Sequence, residues 1–401
     1  MTGCIIEAFV QNVSHLNIVV AFMVLATILL FTFLFQNQIM AGVNANIPPS
    51  PAESEEEEPT YTFPETLQEF GYDFNDDGEL RDIETDEYYN FHHTEGDHRY
   101  NQKRYEALGE KITEYVYDLM EKETKLKRVY IPLDAEENEA RSFIFMSEDA
   151  LSNPDKLMVL IHGSGAVRAG QWSRKLIIND NLDKGTQLPY IREGIKQGYG
   201  IFVLNTNVNE VKLNDGNEHP VKKNQTPEEH GIYVWQHFVL KSKAKHIAIV
   251  AHSYGGIVTL EVANKFTSDF LSRVFAIGFT DSVHSVSHQI DDIAIVDFLK
   301  EKAINYVSSN KEIGEPENSY EKHDCLRIAA GTNQHELTSW SCFDMLFDFI
   351  KDQYEMVKTA EESVRESADG SDNPTANEKT DSIQEEERKP TETPQTLKKE
   401  L

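Results

Sequence analysis

Downstream of Lys156 the chain alternates short apolar runs with amphipathic stretches. Leu157–Ile161, Tyr199–Leu204, Ile247–Ala251, Val274–Phe279 and Leu326–Ala330 have the length of strands and are too short for helices. Between them, Thr226 as N-cap, Pro227 at the first helical position and Glu228 and Glu229 in the first turn predict a helix to about Lys243. Ile257–Phe266 and Ile290–Val307 read as further helices. Strands alternating with helices predict a mainly parallel sheet, and runs apolar at every position predict that both its faces are covered. Upstream, Leu108, Ile112, Tyr115 and Leu119 recur at helical spacing within a helix predicted from Arg99 to Glu121. Arg128–Pro132 and Ser142–Met146 read as two strands joined by the acidic loop 134–139.

The ends differ from this middle. Residues 18–35 are apolar apart from Thr27 and Thr32, just long enough to cross a bilayer, and serve equally well as an uncleaved anchor or the core of a cleaved signal after segment 1–17. An acidic, Pro-punctuated linker fills 36–60, the fold is expected over 61–352, and 353–401 reads as a disordered acidic tail. That tail ends in Lys398-Lys399-Glu400-Leu401, one residue from a retention address, so together with 18–35 it points to the endoplasmic reticulum and a membrane. Asn12 and Asn224 head glycosylation triplets that matter only in a lumenal protein.

Charge narrows the partners. With 38 basic against 68 acidic residues the net charge is −30, a surface that repels phosphate backbones, so no direct nucleic-acid contact is expected. Three cysteines, Cys4, Cys325 and Cys342, read as free thiols. The run Asp73-x-Asn75-x-Asp77-Gly78 with Glu84 satisfies the spacing of a calcium loop, but poor flanking helices make a polar turn the simpler expectation. No metal and no cofactor are expected.

Chemistry concentrates at Ala251-His252-Ser253-Tyr254-Gly255-Gly256, a strand-to-helix turn of the nucleophile-elbow kind, with small residues two positions either side of Ser253. A serine hydroxyl attacks only when a histidine takes its proton and an acid orients that histidine. Chain order for this fold is serine, acid, histidine. Two predicted strands follow Ser253. Asp281 ends the first and His335 follows the second, giving a candidate triad, with His284 and His288 as competing bases. The backbone N–H of Tyr254 and the loop Gly163-Ser164-Gly165 are the candidate oxyanion donors. Arg168 and Trp172 read equally as substrate contacts or as ordinary surface and core residues.

Several longer blocks carry a resemblance. Lys103–Glu110, Ser142–Leu151, Lys156–Gly165, Arg168–Trp172, Val250–Gly256, Thr280–His284 and His335–Trp340 together resemble the animal members of the argonaute-binding-protein-two (Arb-two) family, across about residues 61–350. The resemblance implies an α/β-hydrolase-like fold, an Argonaute-type partner with chromatin or splicing factors, and a nuclear or cytoplasmic residence as the alternative to the reticulum. It places Ser253 at the family's proposed nucleophile. The stretch Val208–Gln225 departs from the relatives by lacking their basic insertion. Two functions follow as expectations: a hydrolase-like scaffold for regulatory partners, and a membrane-attached lumenal serine hydrolase.

Overall fold

A computed structural model of the chain describes residues 61–319 and 322–369. The apolar segment 18–35, the linker 36–60, Asn12, Cys4 and the terminal Lys398–Leu401 lie outside the described residues. Among the described residues no helix is long and apolar enough to cross a membrane.

In chain order the elements used below are β1 (Tyr72–Phe74), β2 (Leu80–Asp82), α1 (His98–Lys122), β3 (Lys127–Ile131), β4 (Ser142–Met146), β5 (Lys156–Ile161), α2 (Arg174–Asn179) and α3 (Leu188–Lys196). They continue with β6 (Gly200–Val203), β7 (Glu210–Lys212), β8 (Glu218–Pro220), α4 (Pro227–His237), β9 (His246–His252), α5 (Gly255–Lys265) and β10 (Val274–Thr280). The last are α6 (Ile293–Lys302), β11 (Ala303–Val307), β12 (Leu326–Ala329) and α7 (Phe343–Asp369).

One eight-stranded sheet runs in the order β12-β11-β10-β9-β5-β6-β4-β3. Its strands are parallel from β12 to β6, while β4 pairs antiparallel with both β6 and β3. This is the α/β-hydrolase arrangement that the sequence pattern predicts. In β9, Ile247, Ile249 and Ala251 join a core beneath α4 to α6, whereas Ala248 and Val250 join a second core on the opposite face. Alternation of side chains across a strand, with both faces apolar, is why the run shows no polar positions. The β1–β2 hairpin packs a third cluster, Leu67, Phe70, Tyr72 and Leu80, against Leu108, Ile112 and Val116 of α1.

Three expectations are corrected. The helix predicted over Ile290–Val307 stops at Lys302, and the rest is strand β11, paired parallel with β10 and β12. Three strands therefore follow Ser253, not two. The calcium-loop spacing forms the polar turn expected of it, within the β1–β2 hairpin: Asn75 Oδ1 accepts from the N–H groups of Asp77 and Glu79, and Glu79 pairs with Arg81 at 2.6 Å. Helix α7 continues past the tail boundary set at 352, because Tyr354 donates to Asp155 Oδ2 at 2.6 Å and Glu361 meets His246 at 3.0 Å. Asn224 is fully buried and its amide donates to the Lys222 carbonyl at 3.1 Å, so it presents no glycan acceptor. Cys325 and Cys342 are free, as read.

Candidate active site

Ser253 sits between the end of β9 and the start of α5 with φ +52°. Side chains rarely adopt that left-handed conformation, and the elbow is held in it from two directions. The Ser253 N–H donates to the Thr280 carbonyl at 3.1 Å, and the Val283 N–H donates to the Ser253 carbonyl at 3.3 Å. Close packing explains the small residues around it. A Cβ on Gly255 would lie 2.6 Å from the Ile161 carbonyl oxygen, and one on Gly163 would lie 3.0 Å from the Ser253 Cβ. Since the first obstacle is backbone, Gly255→Ala is expected to cost about 1–3 kcal/mol of stability. A urea unfolding midpoint equal to that of the unaltered chain would contradict it.

Asp281 follows β10 directly, also at positive φ, +46°. Its Oδ2 accepts from His335 Nδ1 at 2.8 Å, and its Oδ1 accepts from the Ser308 N–H at 3.1 Å. Ser308 is the residue after β11, so the strand missed in the sequence supplies the donor that orients the acid. Burial pushes the Asp281 carboxyl up, yet the bonds from His335 and Ser308 outweigh this and hold it below the usual range. The same carboxylate raises the pKa of His335 above the ordinary value, against its partial burial. With Nδ1–H committed to Asp281, Nε2 is left as the proton acceptor.

Ser253, His335, Gly163 and Ser164 line one cavity of about 290 Å³ together with Tyr105, Trp172, Arg174 and Lys175. Among the described residues the Ser253 hydroxyl makes no hydrogen bond, so the Asp281–His335 pair is formed and the serine stands beside it unbonded. Such contacts commonly close only once substrate is bound. The competing bases are placed elsewhere. His284 is buried between Ser282 at 2.7 Å and Asp324 at 2.9 Å, and exposed His288 bonds Ser285 at 2.7 Å. His284, Asp324 and Cys325 bring three metal-ligand atoms within 4.8 Å, but His284 and Asp324 already satisfy one another. His252, next to the serine, is held neutral: burial and the nearby His335 pull its pKa down to about 4, and its Nδ1 donates to the Thr280 carbonyl at 2.8 Å.

The loop after β5 is pinned by Asn207, whose amide donates to the carbonyls of Gly163, Gly165 and Val167 at 2.9, 3.2 and 3.1 Å. With these carbonyls tied back, the N–H groups of Ser164 and Gly165, like that of Tyr254, find no acceptor among the described residues. Gly165 has φ +97°, which a side chain would resist. The Tyr254 hydroxyl donates to Glu228 at 2.5 Å, tying the elbow to the first turn of α4, and that carboxylate raises the phenol to about 12. Trp172 is buried, edge-on to His252 at 6.2 Å, and Arg168 donates to the Val167 carbonyl at 3.0 Å. Asn207, Ser308 and Arg174 carry no sequence signal, since each acts through contacts that only the fold brings together.

Residues 63–313 match the family described as the Arb2 domain. The cotranscriptional regulator ARB2A of Mus musculus is 43% identical over 347 residues, covering 75% of this chain and 83% of that protein. Its Homo sapiens counterpart is 43% identical over 346 residues, covering 75% of this chain and 83% of its own length. The Dictyostelium discoideum homologue is 35% identical over 315 residues, covering 71% of this chain and 79% of that protein. Among solved structures, a histone deacetylase from Saccharomyces cerevisiae overlaps with a TM-score of 0.42 at 14% identity, covering 61% of this chain and 97% of that chain.

Proposed function

The chain belongs to the Arb2 domain family, and from that premise we propose that it is a regulatory protein of the cotranscriptional class that retains serine-hydrolase chemistry at Ser253. The observation that carries the chemistry is the Asp281–His335 bond of 2.8 Å beside a serine at φ +52° in one shared cavity. A positive φ at a serine is a strain that a purely structural turn would shed to glycine.

In this reading His335 Nε2 takes the Ser253 proton as Oγ bonds to the carbonyl carbon of an ester or amide. The N–H of Tyr254 and those of the 163–165 loop receive the oxyanion. Collapse of the adduct breaks the bond to the leaving group, which takes the proton from His335. Water, deprotonated by the same nitrogen, then frees the acid and restores Ser253. The regulatory role comes from the names of the animal relatives, and the family resemblance adds an Argonaute-type partner and a nuclear setting. Contact with RNA or DNA would run through that partner, since a net charge of −30 opposes direct binding.

A fluorophosphonate probe on the full chain tests the chemistry. Stoichiometric labelling of a peptide containing Ser253 is expected. A folded protein that never labels would leave the scaffold role alone standing.

A further inference from the structure

Arg174 opens α2 and lines the same cavity as Ser253 and His335. Its Nη2 donates to the Ala166 carbonyl at 2.7 Å, while its Nε is buried and has no acceptor. Among the described residues it makes no ion pair. Its neighbour differs: Lys175 is neutralised by Glu336 at 2.6 Å across the same cavity. The acids facing Arg174 from α1, Glu106 and Glu110, act only at a distance, and Glu106 is occupied by Gln102 and Lys103. The side chain is seated deliberately. A Cβ on Gly109 of α1 would lie 2.8 Å from Nη1 and 2.9 Å from Cδ and Cζ, so glycine there makes the room.

A half-buried guanidinium without a carboxylate is costly to keep, the more so in a chain with so many acids to spare. An anion bound in the cavity would offset that cost, since a guanidinium pairs strongly with a carboxylate. Burial and the nearby Arg168 already press its pKa below the usual value, the sign of a cation short of a partner. We propose that the Ser253 cavity takes substrates bearing an anionic group on the acyl side, a short dicarboxylic acid half-ester or half-amide, with Arg174 as the anchor for the free carboxylate. The cavity of about 290 Å³ suits such a small group. This substrate class rests on the hydrolase reading of Ser253, but anion binding at Arg174 does not.

Titration calorimetry with succinate on the full chain reads the site without turnover, with inorganic phosphate as the second titrant. Succinate is expected to bind the unaltered chain and, about 10–100-fold more weakly, Arg174→Gln, within the worth of a charge-assisted pair. Arg174→Lys, which keeps the charge without the fork, should fall between and guards against misfolding of the glutamine variant. Phosphate binding without succinate binding would overturn the carboxylate class, and no binding of either would overturn the site. Where esterase turnover is found, the 4-nitrophenyl half-ester of succinate should exceed 4-nitrophenyl butyrate in kcat/KM, with the advantage lost in Arg174→Gln. Equal loss for both esters would mark Arg174 as structural. Binding without fluorophosphonate labelling would remove the hydrolase reading and leave the anion site. Labelling without binding would do the reverse.

Discussion

Asp281→Asn is expected to slow fluorophosphonate labelling of Ser253 by about 10²–10⁴-fold, the range a positioned general base supplies. The substitution isolates charge and tautomer, because asparagine is isosteric and tolerates the φ of +46° found at this position. An amide in place of the carboxylate can donate to His335 Nδ1, which would put the imidazole proton on Nε2, the nitrogen that must accept from serine. The pH dependence gives a second, independent sign. Asp281 raises the pKa of His335 above 6.5, so labelling of the unaltered chain should climb as pH passes through a value above 6.5. Without the carboxylate that limb should move to lower pH even as the plateau falls. A slower plateau with an unmoved limb would mean that Asp281 only supports the loop.

The same pair makes a stability prediction of opposite slopes. His335, with its raised pKa, stabilises the fold fully below 6.5 and loses that contribution as pH rises through the folded value. Asp281, with its lowered pKa, contributes above 3.8 and loses that as pH falls through its folded value. Their joint contribution is therefore greatest between those two limits.

Sequence alone reached Ser253 because an elbow leaves local marks, an apolar strand, small flanking residues and an immediate helix. It reached Asp281 and His335 through the positions of strand ends, although it counted the strands wrongly. Ala303-Ile-Asn-Tyr-Val follows α6 with no glycine or proline between them, so nothing in the local pattern separates β11 from the helix before it. The error left Asp281 and His335 in place as candidates, since each is set by the end of its own strand, but it hid Ser308. Helix α7 shows the converse failure. Its second half is polar by composition, yet Tyr354 and Glu361 fasten it to Asp155 and His246 through contacts far apart in sequence. Asn207 and Arg174 belong to the same class: each is decided by what the fold brings opposite it, Gly163 and Gly165 for one and Gly109 for the other.

Replacing Ser253 separates chemistry from backbone strain. Ser253→Ala and Ser253→Gly should both abolish labelling, because each removes the hydroxyl that the hydrolase reading assigns to the probe. Their stabilities should differ. A residue with a side chain in the left-handed region costs roughly 1–2 kcal/mol, and alanine keeps that cost at φ +52°. Glycine escapes it but gives the unfolded chain about 0.5–1 kcal/mol more conformational freedom. The glycine variant should therefore be the more stable of the two by about 0.5–1 kcal/mol, read as the difference in urea midpoints at equal slope. Equal midpoints would mean that the turn relaxes when the hydroxyl is lost, and the strain would then be no argument for function. A more stable glycine variant that no longer reacts would show that the fold holds a serine where glycine sits better, a trade of stability for a reactive atom.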